Sequence, residues 1–231
     1  MEPEIEDLAI FLNKMGAKIT GAGTNVIKIK GVKALKEVSY KVMPDRIEAG
    51  TFLSMIAATG GKGKLLNVEP KHITPIIYKL EECGCNINIE NRQIDIVAPK
   101  KLKAIDIITM PYPGFPTDMQ SVFSSMLCTA KGTSIITENI FESRYKYMAE
   151  LMKMGAKVKI EEKTAIIKGV RNLKGTNIEA KDLRGGAALV LAGLTAKGKT
   201  RISGVQYIQR GYEKLEEKLT NLGAKIKIEN T

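Results

Sequence analysis

The stretch LMKMGAKVKI, residues 151–160, decides the fold because it is repeated along the chain. The other copies are LNKMGAKITG from Leu12, LEECGCNINI from Leu80 and LTNLGAKIKI from Leu219. The shared pattern is L-x-x-h-G-[AC]-x-[IV], where h is apolar, and its glycines at 16, 84, 155 and 223 lie 68, 71 and 68 residues apart. Each copy predicts a helix that ends at a C′ glycine and a following strand with alternating side chains. Repetition with this period predicts a fold assembled from copies of one unit.

A second element recurs between these copies and predicts the buried part of the unit. The occurrences are DRIEAGTFLSMIAATGGKG from Asp45, DMQSVFSSMLCTAKG from Asp118 and DLRGGAALVLAGLTAKG from Asp182. Each is an acid followed by a helix that is apolar nearly all round, and such helices are buried. The segments ITGAGTNVIKIKGV and VKIEEKTAIIKGV predict β-hairpins with polar turns. One unit is therefore predicted to be βαβαββ, and three units would share a core of inner helices with the sheets outside.

Asp45, Asp118 and Asp182 occupy the same position at the start of the apolar helices. An acid in this position ordinarily caps the helix, and one good cap contributes ~1 kcal/mol. For Asp45 and Asp182, capping and function are equally favoured. Asp118 differs because three prolines precede it in MPYPGFPT, residues 110–117, and they predict a stiff, extended backbone. Thr117 or Asp118 can cap the next helix, but so rigid an approach to one carboxylate indicates a functional role.

The composition limits the classes of partner. The chain has 231 residues, 44% of them apolar, which is enough for one large or two smaller domains. Its net charge of +11 favours an anionic partner, such as a nucleic acid, a membrane surface or a phosphorylated metabolite. The lysines are scattered, aromatic residues make up 5% and Trp is absent, so nucleic-acid binding is not favoured. A solvated, lysine-rich surface explains most of the charge.

Targeting signals and cysteine usage favour a cytoplasmic protein without a cofactor. No apolar run approaches the ~20 residues of a membrane-spanning helix. The N-terminus MEPEIEDLAIF lacks the basic start of a signal peptide. Cys83, Cys85 and Cys128 are too few and too unevenly placed for a disulfide framework, which favours a reducing compartment. Because Cys83 and Cys85 with one distant His are weak support for a metal site, no metal or cofactor is predicted.

Six segments carry a resemblance to a known family. They are EPEIEDLAIFLNKMGAKITGAGTNVIKIKGV, PDRIEAGTFL, PYPGFPTDMQ, ITENIFESRYKYMAELMKMGA, DLRGGAALVLAG and QRGYEKLEEKLTNLGA, in collinear order. Through them the chain resembles the C-terminal half or more of the UDP-N-acetylglucosamine 1-carboxyvinyltransferases. The resemblance implies the enolpyruvyl transferase fold, an inside-out α/β barrel whose two domains each contain three βαβαββ units. PYPGFPTDMQ is the most specific segment, since the sister enzyme of the shikimate pathway shares the fold without it.

The resemblance implies a reaction and places residues in it. The family transfers the enolpyruvyl group of phosphoenolpyruvate to the 3′-hydroxyl of UDP-N-acetylglucosamine and releases phosphate, the first committed step of peptidoglycan synthesis. By resemblance Asp118 is the base, which the reaction needs because a hydroxyl is a poor nucleophile. Ile140 matches the position whose backbone contacts the UDP-sugar, and Asp182 and Arg210 match catalytic positions. The implied partners are the two small-molecule substrates, with no nucleic acid and no membrane.

Three arginines are candidates for the phosphate and carboxylate of phosphoenolpyruvate, because guanidinium groups bind both anions in a bidentate manner. By resemblance they are Arg144 in FESRYKY, Arg184 in DLRGG and Arg210 in QRGYEK. Arg184 is expected in the first turn of an apolar helix, where a cation opposes the helix dipole unless an anion binds there. Arg210 precedes Gly211 at a predicted helix start, which also suits an anion. For Arg144 an ordinary surface position is equally favoured.

Parts of the family pattern are absent, so the chain is expected to be truncated at its N-terminus. A Lys-Asn pair that contacts phosphoenolpyruvate and a mobile loop with a catalytic Cys or Asp have no counterpart. Residues 1–42 match the tail of the first domain, and residues 43–231 match the second domain of three βαβαββ repeats with its last hairpin incomplete. The chain alone is expected to be inactive. The alternatives are a non-catalytic UDP-sugar-binding module and a half-enzyme that needs a partner chain to supply the missing half. An RNA 3′-phosphate cyclase, built on a related repeat, is disfavoured because its histidine motif is missing.

Overall fold

The computed structural model of the chain describes residues 1–142 and 144–229. Within these residues the helices are α1 (Pro3–Lys14), α2 (Arg46–Ala58), α3 (Thr74–Glu82), α4 (Gln120–Leu127), α5 (Met148–Lys153), α6 (Leu183–Thr195), α7 (Val205–Gln209) and α8 (Leu215–Asn221). The strands are β1 (Lys18–Thr20), β2 (Lys28–Lys30), β3 (Lys62–Leu66), β4 (Asn86–Glu90), β5 (Gln93–Val97), β6 (Ile107–Ile108), β7 (Thr133–Thr137), β8 (Lys157–Glu161), β9 (Thr164–Lys168), β10 (Asn177–Glu179) and β11 (Arg201–Ser203). Short 3₁₀ helices at Pro70–Ile73 and Thr117–Met119 precede α3 and α4. Across the described part of the chain, every helix is too short or too polar to span a membrane.

The strands form two larger sheets and two small pairs. The larger sheets have the orders β3-β5-β4 and β6-β7-β9-β8, and the pairs are β1-β2 and β10-β11. The pairs β6-β7 and β10-β11 are parallel, with a helix between their strands, whereas the hairpins β4-β5 and β8-β9 are antiparallel. Both hairpins turn in two residues, and Asn91 and Glu162 take the positive φ that such a turn requires. The two hairpins predicted from the sequence, β1-β2 and β8-β9, are confirmed.

The repeated motif ends its helix in the predicted way in all four copies. Gly16, Gly84, Gly155 and Gly223 have φ between 91° and 102°, a left-handed conformation that favours glycine at the C′ position. In each copy the residue after the glycine donates its N–H to the carbonyl of the leucine that opens the motif, as Ala17 does to Leu12 at 3.0 Å. The motif is therefore a Schellman cap, and its glycine is selected by backbone geometry.

The three apolar helices α2, α4 and α6 form the centre of the fold and pack against one another. All eight residues of α4 are buried, and so is α6 from Gly185 to Ala192. The Ser125 hydroxyl of α4 donates to the Ala188 carbonyl of α6 at 2.7 Å, so this buried polar side chain joins two of the inner helices. The strands alternate between inward and outward side chains. The predicted arrangement of inner helices and outer sheets is confirmed.

The three repeats differ in completeness. The second contains all six elements, from β6 to β9. The first begins directly at α2, because residues 36–42 form no strand. In the third repeat a strand is predicted after Gly223. This prediction is wrong for residues 224–229, which do not form a strand with any other described segment. The predicted strand also included Asn230, which with Thr231 lies outside the described residues.

The inner helices begin at the same end of the fold, and this end carries the candidate site. Arg184, in the first turn of α6, pairs with Asp118, which directly precedes α4. Thr51, in the second turn of α2, bonds the hydroxyl of Tyr212, which in turn accepts from Arg184. Three helix N-termini therefore converge on one surface, and their partial positive charges favour anions there.

Candidate active site

Asp118 is presented by a turn and not by the extended segment that its prolines predict. The Gly114 N–H donates to the Pro111 carbonyl at 2.8 Å, and the Met110 N–H donates to the Phe115 carbonyl at 3.0 Å. Residues 110–115 thus close on themselves before the 3₁₀ helix Thr117–Met119. The prediction of a stiff, extended approach was wrong because prolines also suit tight turns.

The Asp118 carboxylate does not cap α4, although capping was one predicted role for Asp118 or Thr117. The helix α4 has no side-chain cap. Instead, Asp118 Oδ1 accepts from Arg144 Nη2 at 2.6 Å, and Oδ2 accepts from Arg184 Nε and Nη2 at 3.1 and 2.9 Å. The side chains of Asp118, Arg144 and Arg184 are 35%, 21% and 16% exposed. The result is a cluster of one carboxylate between two guanidinium groups, open to solvent at its edge and positive overall.

The charges of the cluster fix the protonation of Asp118. Burial disfavours the ionised carboxylate, but the charge of Arg184 and the hydrogen bond from Arg144 outweigh burial, and the pKa of Asp118 is lowered. Burial likewise opposes the charge of Arg184, yet Tyr212 and Asp118 raise the pKa of that guanidinium. Both partners are therefore charged at neutral pH, and Asp118 is a weak proton acceptor while it holds both arginines.

Each arginine is oriented by a neighbouring hydroxyl. Arg184 Nη1 donates to the hydroxyl of Tyr212 at 3.3 Å, and the Tyr212 ring centre is 5.6 Å from the guanidinium carbon. Tyr212 is 1% exposed and its hydroxyl bonds Thr51 Oγ1 at 2.9 Å. Arg144 Nη1 donates to Thr117 Oγ1 at 2.6 Å. The guanidinium groups are thus held in place before any ligand arrives, which is the preorganisation that anion binding requires.

Comparison with known proteins identifies the family of the chain. A sequence model of the family described as EPSP synthase (3-phosphoshikimate 1-carboxyvinyltransferase) matches residues 1–219. A UDP-N-acetylglucosamine 1-carboxyvinyltransferase from Desulfofundulus thermocisternus is 55% identical over 95% of this chain and 91% of the relative. The chain belongs to the UDP-N-acetylglucosamine 1-carboxyvinyltransferase family. UDP-N-acetylglucosamine 1-carboxyvinyltransferase 1 of Caldanaerobacter subterraneus subsp. tengcongensis is 54% identical over 97% of the chain.

Solved structures confirm the enolpyruvyl transferase fold. The enolpyruvyl transferase NikO from Streptomyces tendae matches 98% of this chain with a TM-score of 0.85 and 25% identity. EPSP synthase from Acinetobacter baumannii matches 95% with a TM-score of 0.72 and 24% identity, which concerns the fold alone. The chain covers 54% of the Caldanaerobacter relative and 55% of the NikO chain, so it spans about half the length of these family members.

The other charged residues predicted for the site, Asp182 and Arg210, lie at helix ends. Asp182 caps α6, since its Oδ1 accepts from the Gly185 N–H at 2.7 Å. Arg210 is exposed at the C-terminal end of α7, and the next helix begins only at Leu215. The predicted helix start at Arg210 was therefore wrong, because the chain passes through a turn before α8. Among the described residues, Arg210 forms no ion pair with Asp118.

Ile140 lies near the cluster on the loop after β7. Its side chain is 39% exposed, and its backbone N–H is held by the buried carboxylate of Glu138 at 2.9 Å. Ser143, in the FESRYKY segment, lies outside the described residues. Thr117, Tyr212 and Glu138 were not predicted as site residues. Thr117 and Tyr212 could have been suspected from their places beside Asp118 and Arg210, but nothing in the sequence pattern distinguishes Glu138.

The cysteines stand apart from the site. Cys83, Cys85 and Cys128 are free and buried. Burial raises their pKa values to about 12, 11 and 12, so the thiols stay protonated at neutral pH. Across the described residues, no group of three or more His, Cys, Asp or Glu side chains is arranged to hold a metal ion.

Proposed function

We propose that this chain supplies one wall of an active site that transfers the enolpyruvyl group of phosphoenolpyruvate to the 3′-hydroxyl of UDP-N-acetylglucosamine. The observation that carries the proposal is the carboxylate of Asp118 between Arg144 and Arg184. Relatives that are 54% and 55% identical bear the name of this activity. The product would enter peptidoglycan synthesis in the cytoplasm, which agrees with three free, buried cysteines.

The cluster suits this reaction because its two parts have separate tasks. In the proposed reaction a proton donor outside this chain protonates the CH₂ carbon of the alkene, and the sugar hydroxyl adds to the adjacent carbon. Loss of a proton from the new methyl group then expels phosphate and restores the double bond. Asp118 takes the proton of the sugar hydroxyl as the new C–O bond forms. Arg144 and Arg184 bind the phosphate and carboxylate of phosphoenolpyruvate. Arg210 is exposed and lies two residues before Tyr212 in the sequence. Asp182 contributes as the cap that fixes the first turn of α6, and with it Arg184.

Substrate binding would also activate the base. A carboxylate that holds two guanidinium groups is a weak proton acceptor. When the anionic groups of phosphoenolpyruvate bind Arg144 and Arg184 in place, they neutralise part of the positive charge that lowers the pKa of Asp118. Its basicity then rises at the time when the sugar hydroxyl must lose its proton. The contacts of Asp118 thus make its activation as a base follow the binding of phosphoenolpyruvate.

The chain alone is proposed to be inactive and to need a second body that carries the remaining catalytic groups. Residues 1–42 form α1 and the β1-β2 hairpin, which we assign to the tail of a first domain, with residues 43–231 as the second domain. In this tail Ile5, Leu8 and Ile29 are 40%, 50% and 72% exposed. Relatives of about twice the length contain sequence that could cover these side chains. The occupant we propose is the N-terminal half of an enolpyruvyl transferase.

Phosphate release from phosphoenolpyruvate in the presence of UDP-N-acetylglucosamine tests the proposal. The chain alone should give no turnover, and turnover at the ordinary ~1–1000 per second would refute its inactivity. Adding the N-terminal half of the Caldanaerobacter relative should start phosphate release. Arg184→Met should abolish that release, whereas Arg171→Met, beside the opposite ends of α2 and α6, should not.

A non-catalytic UDP-sugar-binding module is the second candidate, because Ile140 and Phe141 present an exposed loop next to the cluster. Calorimetry with UDP-N-acetylglucosamine separates the two candidates. Binding without any phosphate release, even with the added N-terminal half, would favour the binding module. No binding at millimolar ligand, together with no release, would refute both.

A further inference from the structure

Glu138 is a buried carboxylate that the proposed chemistry does not use. It follows β7 and is 1% exposed. A buried charge is unfavourable unless hydrogen bonds replace its water. Oε1 accepts from Thr109 Oγ1 at 2.8 Å and from the backbone N–H groups of Ile140 and Phe141 at 2.9 and 3.2 Å. Within the described residues no lysine or arginine pairs with it, so neutral donors alone hold this charge.

The second oxygen of Glu138 reaches the catalytic cluster. Oε2 accepts from Thr117 Oγ1 at 2.8 Å, and the same Thr117 oxygen accepts from Arg144 Nη1 at 2.6 Å. Because an ionised carboxylate only accepts, the Thr117 hydroxyl must point its hydrogen at Glu138 and its lone pairs at Arg144. Arg144 Nη2 then bonds Asp118 at 2.6 Å. The bond to Oε2 therefore connects the carboxylate that holds the loop after β7 to the pair of Arg144 and Asp118.

We infer that Glu138 is a positioning residue that aligns the two substrate sites of the proposed reaction from one buried carboxylate. Through Thr117 it orients Arg144 against Asp118, and through the Ile140 and Phe141 amides it sets the loop proposed to contact the sugar nucleotide. Glu138 itself touches neither substrate. The inference rests on the proposed function for the roles of the two sites, but the alignment of Asp118 can be tested without it.

The substitution Glu138→Gln perturbs this alignment with little change of volume. Glutamine has one acceptor oxygen and one NH₂ group. If its NH₂ faces Thr117, it donates to the hydroxyl oxygen and displaces Arg144. If its NH₂ faces the loop, it opposes the amides of Ile140 and Phe141. Neither orientation keeps both sets of bonds, so at least one substrate site must change.

The direct test is the carboxyl titration of Asp118, followed by carbon-13 NMR on the chain itself. Thr117→Val, which removes only the hydroxyl link, should raise the pKa of Asp118 toward its ordinary value because Arg144 is released. Glu138→Gln should do the same, and the double variant should add nothing beyond the larger single effect. Glu150→Gln is the matched control, since Glu150 is 3% exposed and bonds Lys153 instead. An Asp118 titration that stays unchanged in Thr117→Val would overturn the inference, even if Glu138→Gln does not fold.

Calorimetry with UDP-N-acetylglucosamine tests the second arm. Glu138→Gln should weaken binding about tenfold, the effect of losing one hydrogen bond, whereas the control Glu150→Gln should bind as the wild type does. Because the glutamine must break at least one set of bonds, a Glu138→Gln variant that keeps both the wild-type binding and the wild-type Asp118 titration would overturn the inference. If the wild-type chain binds no sugar nucleotide, the proposed function fails, and the Asp118 titration still decides whether Glu138 positions the cluster.

Discussion

Replacing Asp118 by asparagine tests whether the cluster of charges is an energetic unit of the fold. The substitution keeps the shape of the side chain but removes its charge. It leaves Arg144 and Arg184 facing an amide whose NH₂ group cannot accept from them. We expect Asp118→Asn to destabilise the chain, because two guanidinium groups that are largely buried lose their common counter-ion.

The expected loss of stability depends on how far the two ion pairs of Asp118 are exposed to solvent. Breaking a fully buried ion pair costs about 3–5 kcal/mol, and an exposed pair contributes about 0–1 kcal/mol. Asp118 is 35% exposed, so solvent screens both of its pairs, although the arginines are only 21% and 16% exposed. We therefore expect about 0.5–1 kcal/mol for each pair and about 1–2 kcal/mol in all. For a chain of this size, this lowers Tm by about 2–8 °C.

The pH dependence identifies the carboxylate as the cause. Because the pKa of Asp118 is lower in the folded chain than its ordinary 3.8, its stabilisation is complete above the ordinary value. That stabilisation is lost as the pH falls through the lowered pKa of the folded state. Urea unfolding of the wild type and Asp118→Asn should thus differ by a constant amount between pH 5 and about pH 7, and the difference should shrink below about pH 4.

The control is Asp95→Asn, which removes a carboxylate that pairs with a single cation, Lys64, at 3.4 Å, where Lys64 is 55% exposed; Asp95 also accepts from Gln93 Nε2 at 3.0 Å. This change should cost no more than about 0.5 kcal/mol. Equal stability of Asp118→Asn and the wild type at pH 7 would contradict the reasoning. So would a difference between them that does not shrink as the pH falls below the ordinary pKa of Asp118, since protonation removes the charge that holds both arginines.

Three further predictions concern a close backbone contact at Gly169, the hydroxyl of Tyr212 and the three buried cysteines. A methyl group at Gly169 would overlap the Ala130 carbonyl oxygen, so Gly169→Ala should lower the free energy of unfolding by about 1–3 kcal/mol in urea unfolding. The control is Gly31→Ala, where a methyl group meets open space, and its free energy of unfolding should stay within about 0.5 kcal/mol of the wild type. Tyr212→Phe should cost about 1 kcal/mol through its lost hydroxyl bonds, and Tyr78→Phe, 65% exposed, should cost nothing measurable. The three thiols should resist a disulfide reagent in the native chain at pH 8 and should all react in urea; rapid labelling of the folded chain would contradict their burial.

The sequence predicted those parts of the fold that depend on local geometry and period. The four glycines of the repeat could be assigned because a left-handed residue is needed wherever such a helix ends. The inner helices could be assigned because their apolar residues leave no polar face. The last strand failed because strand formation depends on a partner, and the pattern after Gly223 carries no information about one. The turn before Asp118 failed because it is closed by contacts between Met110 and Phe115, which composition alone does not reveal.

The candidate site was predictable in its charged residues and not in their supports. Asp118, Arg144 and Arg184 belong to segments that resemble a family, and the structure brings them together across 26 and 66 residues of sequence. Tyr212 and Glu138 support the charged residues from buried positions. Tyr212 stands near Arg210 in the sequence, whereas nothing in the pattern distinguishes Glu138. The partners of both are set by tertiary packing, so their contacts are found only once the fold is known.

The repeat also explains why the carboxylate of Asp118 does not cap a helix while those of its equivalents do. Asp45 and Asp182 each stand directly before an α-helix and accept its first N–H groups. Before α4 the chain instead makes a 3₁₀ turn from Thr117 to Met119, and this turn satisfies the Met119 N–H through the Pro116 carbonyl. The carboxylate of Asp118 is thereby relieved of capping and points at Arg144 and Arg184. One altered turn in one of three similar units thus gives a carboxylate that would otherwise cap a helix the position of a candidate base. The partial positive charge of the neighbouring helix N-termini does not depend on this turn.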